Sequence, residues 1–192
     1  MGNSAPQRDA RSLREVLVGL NRVEQHRAAA QWAVANGRAI DMFGSFAKER
    51  HLLMFQSGNE CENWIDPIDN VLYKMNTLTH VGEDILKLLV RIDMYNALFP
   101  ETAMRFVGLQ IMSATNVFPI FTQPFIKNAR FATKGEIDEY MQSLGFISTG
   151  EDGRYSNGQI LLWDIKPKNV LRIADDTTFV IDAEIDNPTD RL

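Results

Sequence analysis

Ile160-Leu161-Leu162-Trp163-Asp164-Ile165-Lys166-Pro167-Lys168-Asn169-Val170-Leu171, continued by Thr178-Phe179-Val180-Ile181-Asp182, contains two short apolar runs bounded by polar turn residues. Runs of four or five bulky or β-branched residues between such turns read as strands. Each run ends on an aspartate, and the loop after the first carries Pro167, which removes a backbone donor. Lys166 and Asn169 project from the same loop. The expectation is that a carboxylate, an ammonium, an amide and a second carboxylate gather on adjacent strand ends. Such a set can orient a hydroxyl nucleophile, neutralise a phosphate and hold a magnesium ion.

The pattern Asp164-x-Lys166-Pro167-x-Asn169 resembles the catalytic loop of protein-kinase-like phosphotransferases. The resemblance implies that Asp164 orients the acceptor hydroxyl, Lys166 neutralises the transferred phosphoryl group and Asn169 binds metal. Asp182, eighteen residues after Asp164, falls where such proteins place the metal-binding Asp of their Asp-Phe-Gly motif. Two departures are plain. The usual His-Arg before the catalytic Asp is Leu162-Trp163, and Asp-Phe-Gly is Asp182-Ala183-Glu184.

The 192 residues are 45% hydrophobic and 23% charged, as in ordinary globular chains. One domain with an N-terminal helical extension (1–40) and a main domain (41–192) fits that length. No stretch reaches the roughly 20 apolar residues that span a bilayer, and the polar N-terminus lacks a signal-peptide core. The single Cys61 forms no internal disulfide, so a reducing cytoplasm is expected. Three histidines and one cysteine give no zinc spacing. Net charge −5 argues against a broad nucleic-acid surface. A local basic cluster is read at Lys127, Arg130, Lys134, Lys166, Lys168 and Arg172.

Leu13, Val16, Leu17, Leu20 and Val23 recur at helical spacing, and 28–35 continue as helix formers. One long helix or two is expected, packing on the small lobe or on a second copy of the chain. Strands follow at 51–56, 61–66 and 71–75, with turns at 57–60 and 67–70. A helix is expected over 79–98 from the stripe Val81, Ile85, Leu88, Leu89, Ile92 and Tyr95. Strands at 103–112 and 116–126 complete five. Thr133 and Glu136 form a capping box for a helix with Ile137, Tyr140, Met141 and Leu144 on its buried face.

In the kinase resemblance the first hairpin covers the nucleotide through Gly58, the only glycine of its turn. Val71-Leu72-Tyr73-Lys74 resembles the strand with the phosphate-binding lysine, and Glu83, Asp84 or Asp93 is its acidic partner. Backbone groups near Gln123 and Phe125 bind adenine at a hinge spanning 123–132. Together with Leu144-Gly145-Phe146 and Asn169-Val170-Leu171, these motifs are similar to the small Ser/Thr/Tyr kinase-like domain of polyvalent proteins in phages and conjugative elements. The similarity covers about 31–187. The implied fold is α+β and protein-kinase-like: a five-stranded antiparallel small lobe (41–126) with one main helix, and a strongly reduced large lobe (133–192). Gly150, Gly153 and Gly158 break 145–164 into a hairpin where a long helix would otherwise stand. No activation segment is expected after Leu192. The implied ligands are ATP and Mg2+, with a protein or small molecule as acceptor. The alternative is a non-catalytic nucleotide-binding or interaction module.

Overall fold

In the computed structural model, which describes residues 5–57 and 61–186, the N-terminal periodicity resolves into two helices. α1 (Ala5–Leu17) ends before Gly19, whose φ is +79°. α2 (Arg22–Ala35) starts on a capping box: Asn21 Oδ1 accepts from the Glu24 amide at 3.1 Å, and Glu24 Oε2 accepts from the Asn21 amide at 2.9 Å. Leu13 and Leu17 are fully buried. Val16 and Val23 lie 44% and 55% exposed, so the buried stripe is narrower than the sequence suggested. Ala29, Ala30 and Ala33 let α2 approach its neighbours closely, and Trp32 packs edge-on to Phe106 at 6.0 Å.

The chain divides into two units, 1–92 with 104–125, and 93–103 with 126–192. In the first, β1 (Ala39–Ile40) runs parallel to a later strand, and α3 (Phe43–Glu49) follows. The meander β2 (Leu53–Ser57), β3 (Cys61–Asp66) and β4 (Val71–Asn76) then leads to α4 (Ile85–Leu98), which continues into the second unit from Asp93. β5 (Arg105–Ser113) and β6 (Asn116–Pro124) close the sheet in the order β1-β5-β6-β4-β3-β2. The sheet therefore has six strands instead of five. The five long ones are antiparallel, and the sixth is the two-residue β1 paired parallel with β5. That pairing needs Gly108: a Cβ there would sit 2.5 Å from the Arg38 carbonyl oxygen.

Both sheet faces are covered. Leu109, Val117 and Phe121 join α1, α2 and α4 in one cluster. Tyr73, Met75 and Ile120 join Phe43 and Ala47 of α3 in another. α4 begins six residues later than the 79–98 expectation, because Leu78, Gly82 and Glu83 all adopt left-handed backbone and leave only a short turn at Thr79–Val81.

In the second unit, β7 (Arg130–Phe131) precedes α5 (Lys134–Ser143), which has the expected Thr133–Glu136 capping box. Ile137 and Met141 are fully buried, whereas Leu144 is 37% exposed. β8 (Ile147–Ser148) and β9 (Tyr155–Ser156) form the glycine-broken hairpin. β10 (Leu161–Trp163), β11 (Val170–Arg172), β12 (Thr178–Val180) and β13 (Glu184–Asp186) complete two small sheets, β13-β10-β9-β8 and β12-β11-β7. The Tyr95 and Thr102 hydroxyls both donate to the Val180 carbonyl at 2.6 Å, fixing the end of β12.

Candidate active site

The loop between β10 and β11 is held by its own polar groups. Leu162 and Ile165 are buried on either side of Asp164, so the aspartate is carried at a pinned backbone point. Asp164 itself has φ +54°, a left-handed conformation that Asp tolerates better than most residues. The Lys166 amide donates to the Asp164 carbonyl at 2.9 Å, and the Asn169 amide to the Lys166 carbonyl at 2.8 Å. Pro167 opens the short turn Pro167–Asn169. Asn169, 8% exposed, donates from Nδ2 to Asp164 twice: to its carbonyl at 2.9 Å and to Oδ2 at 2.8 Å.

Asp164 and Asp182 do not follow adjacent strands as expected. β10 and β12 belong to different sheets. Asn169 joins them instead: its carbonyl accepts the Ile181 amide at 2.9 Å, one residue before Asp182. The chain then returns as β13 beside β10, with Glu184 opposite Trp163. Asp182 is thus held from both sides, between β12 and β13, and its own side chain is exposed.

Lys166 Nζ lies 3.8 Å from Asp164 Oδ1 and 3.3 Å from Asp152. Its stem runs against Gly153, where a Cβ would come within 2.8 Å of Lys166 Cγ. The nearer ammonium on Asp164 belongs to Lys168, at 2.9 Å from Oδ2. On residue pattern alone Lys168 belongs only to the basic cluster, and its four-residue offset from Asp164 is the one signal of this pairing. Five of those six basic residues face carboxylates: Arg130 and Arg172 meet Glu136, Lys134 meets Asp138, and Lys166 and Lys168 meet Asp164.

Glu136 secures the strand that follows Asn169. Arg130 chelates it at 2.8 and 2.5 Å, the Thr133 amide donates to it at 2.8 Å, and Arg172 of β11 approaches to 3.5 Å. The Arg130 hydrogen bonds, then the Thr133 amide, hold its carboxyl well below the usual carboxylate range. A carboxyl whose pKa is depressed in the folded state contributes stability above its unfolded value, lost as pH falls through the folded one. Thermal stability should therefore decline on acidification below about pH 4.5, and Glu136→Gln should flatten that decline. An unchanged slope in melting temperature against pH would contradict this. On α5, Asp138 accepts a 2.6 Å hydrogen bond from the Tyr155 hydroxyl, which burial and that bond push up to about 12.

In the first unit Lys74 is half-buried in mid-β4, directly opposite Phe121 on β6. Directly paired residues share a sheet face, and Phe121 belongs to the cluster with Val81, Ile85 and Leu88. Lys74 therefore lies on the α4 side of its sheet. Of its three acidic candidates, Asp84 accepts the Lys87 amide at 2.8 Å, Glu83 stands in the left-handed turn before α4, and Asp93 is exposed further along it. Gln123 is buried opposite Leu72, and Phe125 meets Phe55 edge-on at 5.4 Å while its amide donates to the Asn70 carbonyl. Gly58 lies outside the described residues.

A family model described as Serine/Threonine/Tyrosine Kinase found in polyvalent proteins matches residues 23–187. The chain belongs to that kinase family. The match begins inside α2, so this kinase-family region includes most of the second helix as well as every candidate site residue. A search of curated proteins returned no match. No helix among the described residues is long and apolar enough to cross a membrane.

Among the described residues no group of three or more His, Cys, Asp or Glu is arranged to hold a metal ion. Asn169 turns its amide nitrogen toward Asp164, which leaves Oδ1 directed elsewhere as an acceptor, and Asp182 adds a hard carboxylate. These two oxygens are the donors at this loop that could hold a hard cation such as magnesium.

Proposed function

We propose that this kinase-family chain is a Mg-ATP-dependent phosphotransferase. Asp164 orients the acceptor hydroxyl and takes its proton as the new P–O bond forms and the bond to ADP breaks. Lys166 offsets charge on the transferred group, and Asn169 with Asp182 would hold magnesium, which screens the phosphates. Lys74 grips the phosphates, paired with Asp93, Asp84 or Glu83. Gly58 covers the nucleotide, and the backbone near Gln123 and Phe125 takes adenine. The acceptor is a protein or a small molecule, and the cytoplasm is the proposed compartment. Self-association would use the exposed edge of the N-terminal helices.

The observation that carries this reading is Asn169, whose side chain fixes Asp164 and whose carbonyl fixes the approach to Asp182. A preorganised set of this kind is what phosphoryl transfer requires, because catalysis is mainly positioning and charge stabilisation. A second reading, a non-catalytic nucleotide-binding module, is favoured by the single glycine of the 57–60 turn and by the Lys168 ammonium already on Asp164.

Millimolar Mg-ATP should raise the melting temperature. Ligand about a hundredfold above its dissociation constant contributes about 2.7 kcal/mol by mass action. No shift in folded protein would count against both readings. A shift without turnover would favour the second.

A further inference from the structure

α2 carries none of the candidate catalytic residues, yet it presents two neighbouring polar side chains that are almost wholly buried, Gln25 at 3% and His26 at 5% exposure. Gln25 Oε1 accepts the Leu86 amide at 3.1 Å, while its Nε2 donates to the Leu20 carbonyl at 3.2 Å. His26 Nδ1 accepts the Val117 amide at 3.1 Å, and its Nε2 faces the Glu83 carbonyl at the same distance. An amide can only donate and a carbonyl can only accept. Both bonds therefore require the neutral ring protonated on Nε2.

Three of the four partners lie on one piece of structure and its seat: Glu83 and Leu86 at the start of α4, and Val117 at the start of β6. That start holds itself in part: the Glu83 amide donates to the Leu78 carbonyl at 2.9 Å, and Asp84 Oδ1 accepts the Lys87 amide at 2.8 Å. Leu78 and Glu83 have φ of +66° and +63°, conformations that L-residues avoid unless their surroundings impose them, while Gly82 adopts its +65° freely. The Arg22 guanidinium, also from α2, lies 3.5 Å from where a Gly82 Cβ would be. The same turn carries Glu83 and Asp84, two of the three acids open to Lys74, and Lys74 lies on the α4 side of the sheet.

We infer that Gln25 and His26 are positioning residues: α2 is a built-in brace that sets the first turn of α4, and with it the acid that serves Lys74. The inference rests on the phosphotransferase reading. It makes turnover depend on a helix that carries none of the candidate catalytic residues, and a partner that drew α2 away would lower it.

The test uses the full chain with Mg-ATP. Gln25→Ala removes the acceptor for the Leu86 amide together with the donor to the Leu20 carbonyl, His26→Phe removes both ring contacts, and His26→Gln restores an acceptor and a donor. We expect kcat to fall about tenfold or more in Gln25→Ala and His26→Phe, and by less than about threefold in His26→Gln. Exchange at the Leu86 amide should quicken about tenfold in Gln25→Ala while β4 amides keep their protection. Unchanged kcat in Gln25→Ala alongside faster Leu86 exchange would overturn the inference and leave a purely structural contact. Unchanged exchange would overturn it too. If the wild type neither binds nor turns over Mg-ATP, the phosphotransferase reading fails and the inference with it. That failure is recognisable because it appears before any substitution.

Discussion

Asp164→Asn is expected to bind Mg-ATP like the wild type and to lose about a hundredfold or more in turnover, the usual scale for removing a positioned proton acceptor. The substitution keeps shape and one oxygen, so the Asn169 Nδ2 bond to the side chain, 2.8 Å in the structure, survives. What goes is the negative charge that orients the acceptor hydroxyl. Asp182→Ala should behave in the opposite way. Removing outer-shell partners of metal ligands already costs about tenfold in affinity, so loss of a direct ligand should weaken Mg-dependent nucleotide binding by at least that. The check is calorimetric binding and steady-state turnover on both variants. Equal, negligible effects would make these ordinary turn carboxylates.

The second large effect concerns the N-terminal helices. A chain shortened to start at Met42 should fail to fold cooperatively. It loses Leu13, Leu17, Ala29 and Ala33, all fully buried, together with Trp32 and β1. Leu17→Ala alone should cost about 2–5 kcal/mol, against a typical total stability of about 5–15 kcal/mol. Removing the whole cluster exceeds that margin and also strips Phe106, Leu109 and Val117 of their cover. Thermal melts followed by circular dichroism decide it. A shortened chain with the full-length melting temperature would show the helices to be dispensable.

What the sequence made legible was local. The Thr133–Glu136 box predicted the start of α5, and alternation between turn residues predicted β3 and β4 to within a residue. The spacing Asp164, Lys166, Asn169 was readable because one short loop carries it. Elements defined by distant partners were not. α3 has only seven residues with Gly44 inside, and it stands because Phe43 and Ala47 bury against Tyr73 and Met75 while the Phe43 amide bonds Gln110 Oε1 at 2.7 Å. β1 has two residues and exists through its pairing with β5, which no local pattern announces. The late start of α4 was hidden because Val81 extends its apolar stripe, while two of the three left-handed residues that break it, Leu78 and Glu83, are not glycines and carry no local signal of that conformation. The link from Asn169 to Ile181 is a backbone bond, and composition carries no trace of it. Lys168 was hidden for a related reason: only the fold of the loop brings its ammonium onto Asp164.

The central claim, phosphoryl transfer from Mg-ATP at the Asp164–Asn169–Asp182 set, is tested most directly by incubating the folded full-length protein with γ-labelled ATP. The account predicts label leaving ATP, to water, to the protein itself or to an added acceptor, abolished by chelating magnesium and strongly reduced in Asp164→Asn. Intact γ-label after prolonged incubation with magnesium, in protein shown to bind the nucleotide, would contradict it.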